Sequence, residues 1–205
     1  MYAVVIVICT LIFIAWLLYE QRKAQRADQI ASEEFWVREE EANQARNKDI
    51  SHLPRITVRE SEIPTADTSD EAINYYIGQI KQIIKEPLMD LSEYSNTDLK
   101  LAYGVGNFKT LSDYDENFNS FLMNLSNLAR SYQAAGFHEK ARDTYLLALQ
   151  YGSFKLSDFS ELAKVYLSMD QPENITGLIS ELEAGTHPRK DTVIQGLCDI
   201  LASYQ

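Results

Sequence analysis

From Tyr2 to Tyr19 the chain reads YAVVIVICTLIFIAWLLY, a run without a single charged side chain. Wound as a helix at about 1.5 Å per residue, such a run is about 27 Å long, close to the apolar thickness of a bilayer. Trp16 and Tyr19 near its far end suit a membrane interface, and Glu20, Arg22, Lys23 and Arg26 stop it. A cleaved signal peptide would need a basic segment ahead of the apolar core, and only Met1 precedes Tyr2. The run therefore predicts an uncleaved transmembrane anchor over 1–20. Because the cations follow it, the positive-inside rule places the C-terminal bulk of a single-pass protein of the cell membrane in the cytoplasm.

The remainder is acidic. Three of the 19 basic residues, Arg22, Lys23 and Arg26, lie before Ala27, as does one of the 30 acidic ones, Glu20, so 16 basic side chains face 29 acidic ones beyond that point. A phosphate backbone needs a basic face, so this balance speaks against nucleic acid as a partner. Cys9 and Cys198 stand at opposite ends, the first inside the apolar run, which fits a reducing compartment without a disulfide framework.

After the anchor, 21–48 is rich in Glu, Gln, Arg and Ala and free of Gly and Pro, which predicts a charged helical stalk. Its apolar residues, Ile30, Phe35, Trp36, Val37, Ala42 and Ala45, keep no heptad. Phe35 and Trp36 are expected to dock on the membrane surface or on the globular domain. In 49–67, Pro54 and Pro64 bracket the β-branched run Ile56, Thr57 and Val58, the pattern of an extended linker.

A helical domain is predicted over 68–205. Thr68 and Glu71 stand in capping-box relation, and Ile73, Tyr76, Ile77, Ile80, Ile83 and Ile84 follow at helical spacing until Pro87. Asn96 and Thr97 can cap a shorter helix carrying Leu101, Val105 and Phe108, and Gly104 with Gly106 marks a place where helices approach closely. Further on, Leu128, Ala129 and Tyr132 reappear at a fixed offset as Leu162, Ala163 and Tyr166, and at the same offset Leu125 becomes Phe159. Gly136 should end the first helix of this unit, and small Ala141 and Ala148 should let the second pack closely. In the second copy Asp170 stands where Gly136 stood, and Ile175 and Leu182 where the two alanines stood. Pro172 suits a helix start and Gly185 a helix end.

Together with its period of about 34 residues, the pattern resembles the tetratricopeptide repeat. The resemblance covers 122–155 and 156–189 best and implies an all-α fold: a single transmembrane helix plus a TPR-like array of antiparallel helix hairpins, closed by a capping helix over 189–204 that carries Val193, Ile194, Leu197, Ile200 and Leu201 on one face. The anchor-plus-repeat layout also resembles uncharacterised membrane proteins of Gram-positive anaerobes. In the tetratricopeptide family a groove lined by the first helices binds proteins or peptides. The matching positions here are Met123, Ser126, Arg130 and Gln133, then Ser157, Ser160, Lys164 and Leu167. Arg130 and Lys164 are equivalent and imply a positive strip for an acidic segment of a partner.

No chemistry-bearing motif appears. His52, His138 and His187 lack companions at metal-ligand spacing, and G-x-S-x-G, a P-loop and H-E-x-x-H are missing. Cys198, beside Leu197 on the last helix, is expected to be a buried small hydrophobe. The chain thus reads as a non-enzyme without metal or cofactor: a membrane-anchored interaction scaffold or adaptor. Its rivals are a structural subunit whose groove is filled by its own linker and an enzyme with dispersed carboxylates.

Overall fold

The structure, a computed structural model, describes residues 2–204, without the side chains of residues 2–12, Ala15, Ala24 and Ala27. The described residues form eight α-helices: α1 (Tyr2–Asn43), α2 (Glu71–Ile83), α3 (Asn96–Tyr103), α4 (Val105–Ala134), α5 (His138–Gln150), α6 (Leu156–Ser168), α7 (Pro172–Ala184) and α8 (Lys190–Tyr204). A 3-10 turn spans Glu60–Glu62, and a lone antiparallel bridge pairs Ile56 with Leu88. The all-α class is thus realised. Contacts divide the chain into two units, Met1–Leu53 with Ser92–Leu111, and Pro54–Leu91 with Ser112–Gln205.

In the first unit α1 runs unbroken from the apolar run into the charged segment, as expected of a stretch without Gly or Pro. Among the described residues no helix is long and apolar enough to cross a membrane. The predicted span Tyr2–Tyr19 begins outside the described side chains, which start at Phe13. The lower end of α1 packs on α3 around buried Ala42 and Leu99. Ser95, not Asn96 or Thr97, caps α3: its hydroxyl accepts from Asp98 N at 3.2 Å, and Asp98 Oδ2 accepts from Ser95 N at 3.1 Å. Thr97 instead donates to Glu39 Oε2 at 2.8 Å, and the Lys100 ammonium pairs with the other oxygen. Lys100, and then Thr97, hold the Glu39 carboxyl below its ordinary value of 4.5. Gly104 ends α3 with φ +92°, where a Cβ would overlap the backbone of Asn47. The pair of glycines is therefore a close approach, made not by a second helix but by the non-helical chain after α1.

In the second unit α2 starts later than its pattern suggests. Asp70 caps it, accepting from Ile73 N at 3.0 Å, while Thr68 Oγ1 accepts from Asp70 N. An ionised carboxylate competes well with a threonine hydroxyl for orphan amides beside the positive helix end. Ile73 and Ile80 are fully buried in one apolar cluster with Val58, Ile63, Leu88 and the faces of α4 to α8.

The helices from α4 onward recur with the period of the sequence motif. α4 and α6 end at Ala134 and Ser168, α5 and α7 span His138–Gln150 and Pro172–Ala184, and α6 and α8 begin at Leu156 and Lys190. Leu128, Ala129, Leu162 and Ala163 are fully buried, as is Tyr132, with Tyr166 nearly so. The turns match in two bonds. Gly136 N donates to Gln133 O and Phe137 N to Tyr132 O; at the equivalent places in the next hairpin, Asp170 N donates to Leu167 O and Gln171 N to Tyr166 O. Gly136 and Asp170 both take left-handed backbone, φ +79° and +57°. Asp is among the few side chains that enter this region at modest cost, so the departure from Gly leaves the turn intact. α6 packs on α5, α7 and α8. Gly196 brings α8 against Leu156, where a Cβ would crowd the leucine methyl at 2.9 Å.

Cys198 is exposed, contrary to expectation. Val193 and Leu197 point inward on α8, and the next residue lies about 100° round the helix from Leu197.

Candidate interaction surface

The eight positions on the first helices of the two hairpins have different fates. Met123 is 51% exposed, and Arg130, Ser157 and Lys164 are exposed too, while Gln133, Ser160 and Leu167 are half-buried. Ser126 is 3% exposed. Its hydroxyl lies 2.9 Å from Asp158 Oδ2 and 3.0 Å from Leu122 O. Ser153 also donates to Asp158 Oδ2, at 2.5 Å. The carboxylate thereby joins the first helix of one hairpin to the first turn of the next, and Ser126 is withdrawn from any ligand.

The two cations are differently engaged. Lys164 donates to Glu161 Oε1 at 2.8 Å on the same helix face, so a neighbouring carboxylate offsets its charge. Arg130 reaches Asn127 Oδ1 at 3.4 Å, a long contact that leaves its charge uncancelled. Behind them Tyr145 is fully buried, its hydroxyl without a hydrogen-bond partner, as is Asp158 Oδ1. Burial first, and then Glu161, push the Tyr145 hydroxyl far up, while Arg130 pulls it down. The strip at Arg130 and Lys164 is thus a mixed one, in which Glu161 offsets one of the two cations. Sequence periodicity found the exposed positions and missed the polar layer beneath them. Asp158 in the first turn of α6 is its one sequence signal.

The linker makes a second feature. Tyr132 donates to Pro64 O at 2.9 Å and Tyr151 to Glu62 Oε2 at 2.5 Å, while Arg59 Nε donates to Glu62 Oε1 at 2.5 Å. Lys81 pairs with Glu60 at 2.6 Å. Val58 and Ile63 are buried beneath this strap. Tyr151, and then Arg59, hold the Glu62 carboxyl below 4.5, and burial with Glu62 pushes Tyr151 up to about 12. Between the strap and α5 an open recess of about 430 Å³ is lined by Glu62, Pro64, Lys140, Asp143, Leu146 and Gln150. These contacts fall on Tyr132, Tyr151 and the α5 face, beside and not upon Met123, Arg130, Ser157 and Lys164.

A cavity of about 260 Å³ lies between the α5–α6 and α7–α8 loops, walled by Phe154, Phe159, Leu178 and Leu182, with His187 stacked on Phe154 at 3.5 Å. His138 opens α5 and lies 3.3 Å from Ser168 Oγ. Among the described residues no group of three or more His, Cys, Asp or Glu is placed to hold a metal ion. No protein-family model, curated protein or solved structure matches this chain.

Proposed function

We propose that the chain is a scaffold or adaptor at the cell membrane: a single-pass anchor over 2–19, with a TPR-like domain facing the cytoplasm and binding a protein or peptide. The observation that carries this reading is the regular recurrence of helix bounds, buried core and left-handed turn in successive hairpins. Stacked helical hairpins expose first-helix residues along one continuous surface, and such surfaces serve recognition. Met123, Arg130, Ser157 and Lys164 are exposed there, with Gln133, Ser160 and Leu167 at their edges. An acidic segment would bind by meeting Arg130 directly and by displacing Glu161 from Lys164. The rival role, a subunit whose groove is plugged by its own linker, is disfavoured by the exposure of Met123, Arg130, Ser157 and Lys164 beside the strap.

An acidic peptide labelled with a fluorophore should bind the full chain in zwitterionic nanodiscs, more weakly as salt rises, and Arg130→Glu with Lys164→Glu should abolish binding. Equal binding by the double reversal would remove the groove from the reading. A reporter fused at the C-terminus should resist protease in intact cells; its digestion would reverse the topology.

A further inference from the structure

Phe35 and Trp36 stay exposed on α1, and as consecutive residues they share no face. Aromatic side chains are gathered instead at one end of the second hairpin. Phe154, in the loop before α6, meets the Phe159 ring edge to face at 5.3 Å and carries the His187 imidazole stacked on it at 3.5 Å. With Leu149, Leu178 and Leu182 these rings wall the cavity of about 260 Å³ between the α5–α6 and α7–α8 loops. None of the eight groove positions lines it. The repeat accounts for the space. Tyr151 and Gly185 are equivalent: each follows a second helix, and each N–H donates to the carbonyl four residues back, Leu147 O and Glu181 O, at 3.1 Å. In the first hairpin the Tyr151 ring is half-buried and packs edge to face on Phe121 at 5.3 Å. In the second, Gly185 has no side chain to insert, and it lines the cavity. The second hairpin thus has a cavity at the helix end where the first places a phenol ring.

Size and polarity choose the occupant. An apolar cavity of about 150 Å³ holds one benzene, so this larger one takes a single ring with a small substituent. Aromatic walls favour a ring, which meets them edge to face or offset. The polar wall is sparse. Arg189 N donates to His187 Nδ1 at 3.2 Å, so that nitrogen presents its lone pair and the proton sits on Nε2, as a donor. The Lys190 ammonium already donates to Glu183 O and Gly185 O. Apolar walls make a full charge costly, and the Glu181 carboxylate at the rim repels an anion. What fits is a neutral ring carrying an acceptor.

We infer that this cavity binds a small uncharged aromatic molecule bearing a carbonyl, independently of the groove on α4 and α6. The ring takes the part that Tyr151 plays in the preceding hairpin, and the carbonyl accepts from His187. The full chain in zwitterionic nanodiscs is titrated into para-fluorobenzamide and followed by the fluorine NMR linewidth, with protein-free nanodiscs as baseline. Broadening above that baseline is expected. Benzamide should reverse it, and cyclohexanecarboxamide, which keeps the carbonyl and lacks the aromatic ring, should do so far less. Gly185→Tyr fills the cavity with the side chain of the first hairpin, and φ −78° suits any residue there. It should abolish the broadening and melt no lower than wild type. His187→Phe keeps a ring against Phe154, removes the donor, and should weaken binding about tenfold, the worth of one hydrogen bond. No broadening, equal broadening with Gly185→Tyr or with para-fluorobenzoate, or equal reversal by cyclohexanecarboxamide overturns the inference. Unchanged binding by His187→Phe overturns it too, even if circular dichroism shows that Gly185→Tyr does not fold.

Discussion

The hairpins α4–α5 and α6–α7 share a backbone and differ in side chains. Their first helices keep Leu128, Ala129 and Tyr132 as Leu162, Ala163 and Tyr166, and their turns share the two bonds that close the left-handed residue. Their second helices diverge: Ala141 and Ala148 become Ile175 and Leu182, all buried. The ends diverge further. Gly152, with φ +95°, closes α5 through Ser153 N donating to Ala148 O, whereas α7 stops at extended Gly185 and Lys190 Nζ donates to Glu183 O and Gly185 O. A repeat of this kind is defined by its first helix and its turn, and its second helix adapts in volume to the next element along the chain.

The comparison breaks first at the shared core. Leu128→Ala and Leu162→Ala should each cost about 2–5 kcal/mol, since both leucines are fully buried. Leu167→Ala, at a half-buried position, should cost far less. Urea melts followed by circular dichroism decide the matter, and equal losses at Leu128 and Leu167 would refute the helical register. The second helices give the next effect. Ala148→Leu imports the volume found at Leu182 into a site with no room for it, and should cost about 1–3 kcal/mol by overpacking. A neutral Ala148→Leu would mean that the two second helices are interchangeable.

The turns give smaller and unequal effects. Gly136→Ala must place a Cβ in the left-handed region, at about 1–2 kcal/mol, less the few tenths to about 1 kcal/mol gained by stiffening the unfolded chain. A net loss of about 1 kcal/mol is expected. At Asp170 the reverse change to Gly relieves a penalty already softened for Asp and loosens the unfolded chain, so the two nearly cancel. Thermal melts should therefore separate Gly136→Ala clearly from an almost silent Asp170→Gly.

The strap belongs to the first hairpin, because Tyr151 has Gly185 as its counterpart. The depressed Glu62 carboxyl adds stability above its ordinary 4.5 and loses it as pH falls through the lower folded value. The raised Tyr151 hydroxyl adds stability below its ordinary 10 and loses it as pH climbs toward about 12. The strap is thus fastened between those limits. Tyr151→Phe should shrink the alkaline limb of a stability–pH profile, to which the raised Tyr132, Tyr145 and Tyr166 hydroxyls also contribute, and should lower amide protection in 60–66 while leaving the second hairpin untouched.

Apolar periodicity made the repeat region legible, since Leu128, Tyr132 and their partners must turn inward whatever else the chain does. It placed Gly136, Pro172 and Gly185 correctly because each acts on its own neighbourhood. It failed where a choice lay between close competitors, as at Thr68 against Asp70, or where one residue of angle decides, as at Cys198 against Leu197. The first unit was the least legible. Glu39 meets Thr97 and Lys100 across 58 and 61 residues, and a polar pair at that separation leaves no pattern in either segment. The candidate groove was half legible for the same reason. Exposure at Arg130 and Lys164 follows from helical phase, but the burial of Ser126 depends on Asp158, which belongs to the next hairpin.

The equivalent cations sharpen the comparison most finely. Arg130 and Lys164 occupy the same place in the two hairpins, yet Lys164 has Glu161 one turn away, while Arg130 lies near two neutral groups, the amide of Asn127 and the hydroxyl of Tyr145. Exposed charges contribute little to stability, so each reversal to glutamate should leave the melt within about 0.5 kcal/mol of wild type. The signs should nonetheless differ in their salt dependence. Lys164→Glu sets two carboxylates one turn apart on one helix and should lower stability slightly, an effect that fades as salt screens it. Arg130→Glu removes the cation near buried Tyr145 and breaks no ion pair, so its small effect should respond less to salt. Melts of the two variants across a salt series test this, and identical salt slopes would mean that the Lys164–Glu161 pair has no energetic part in the surface.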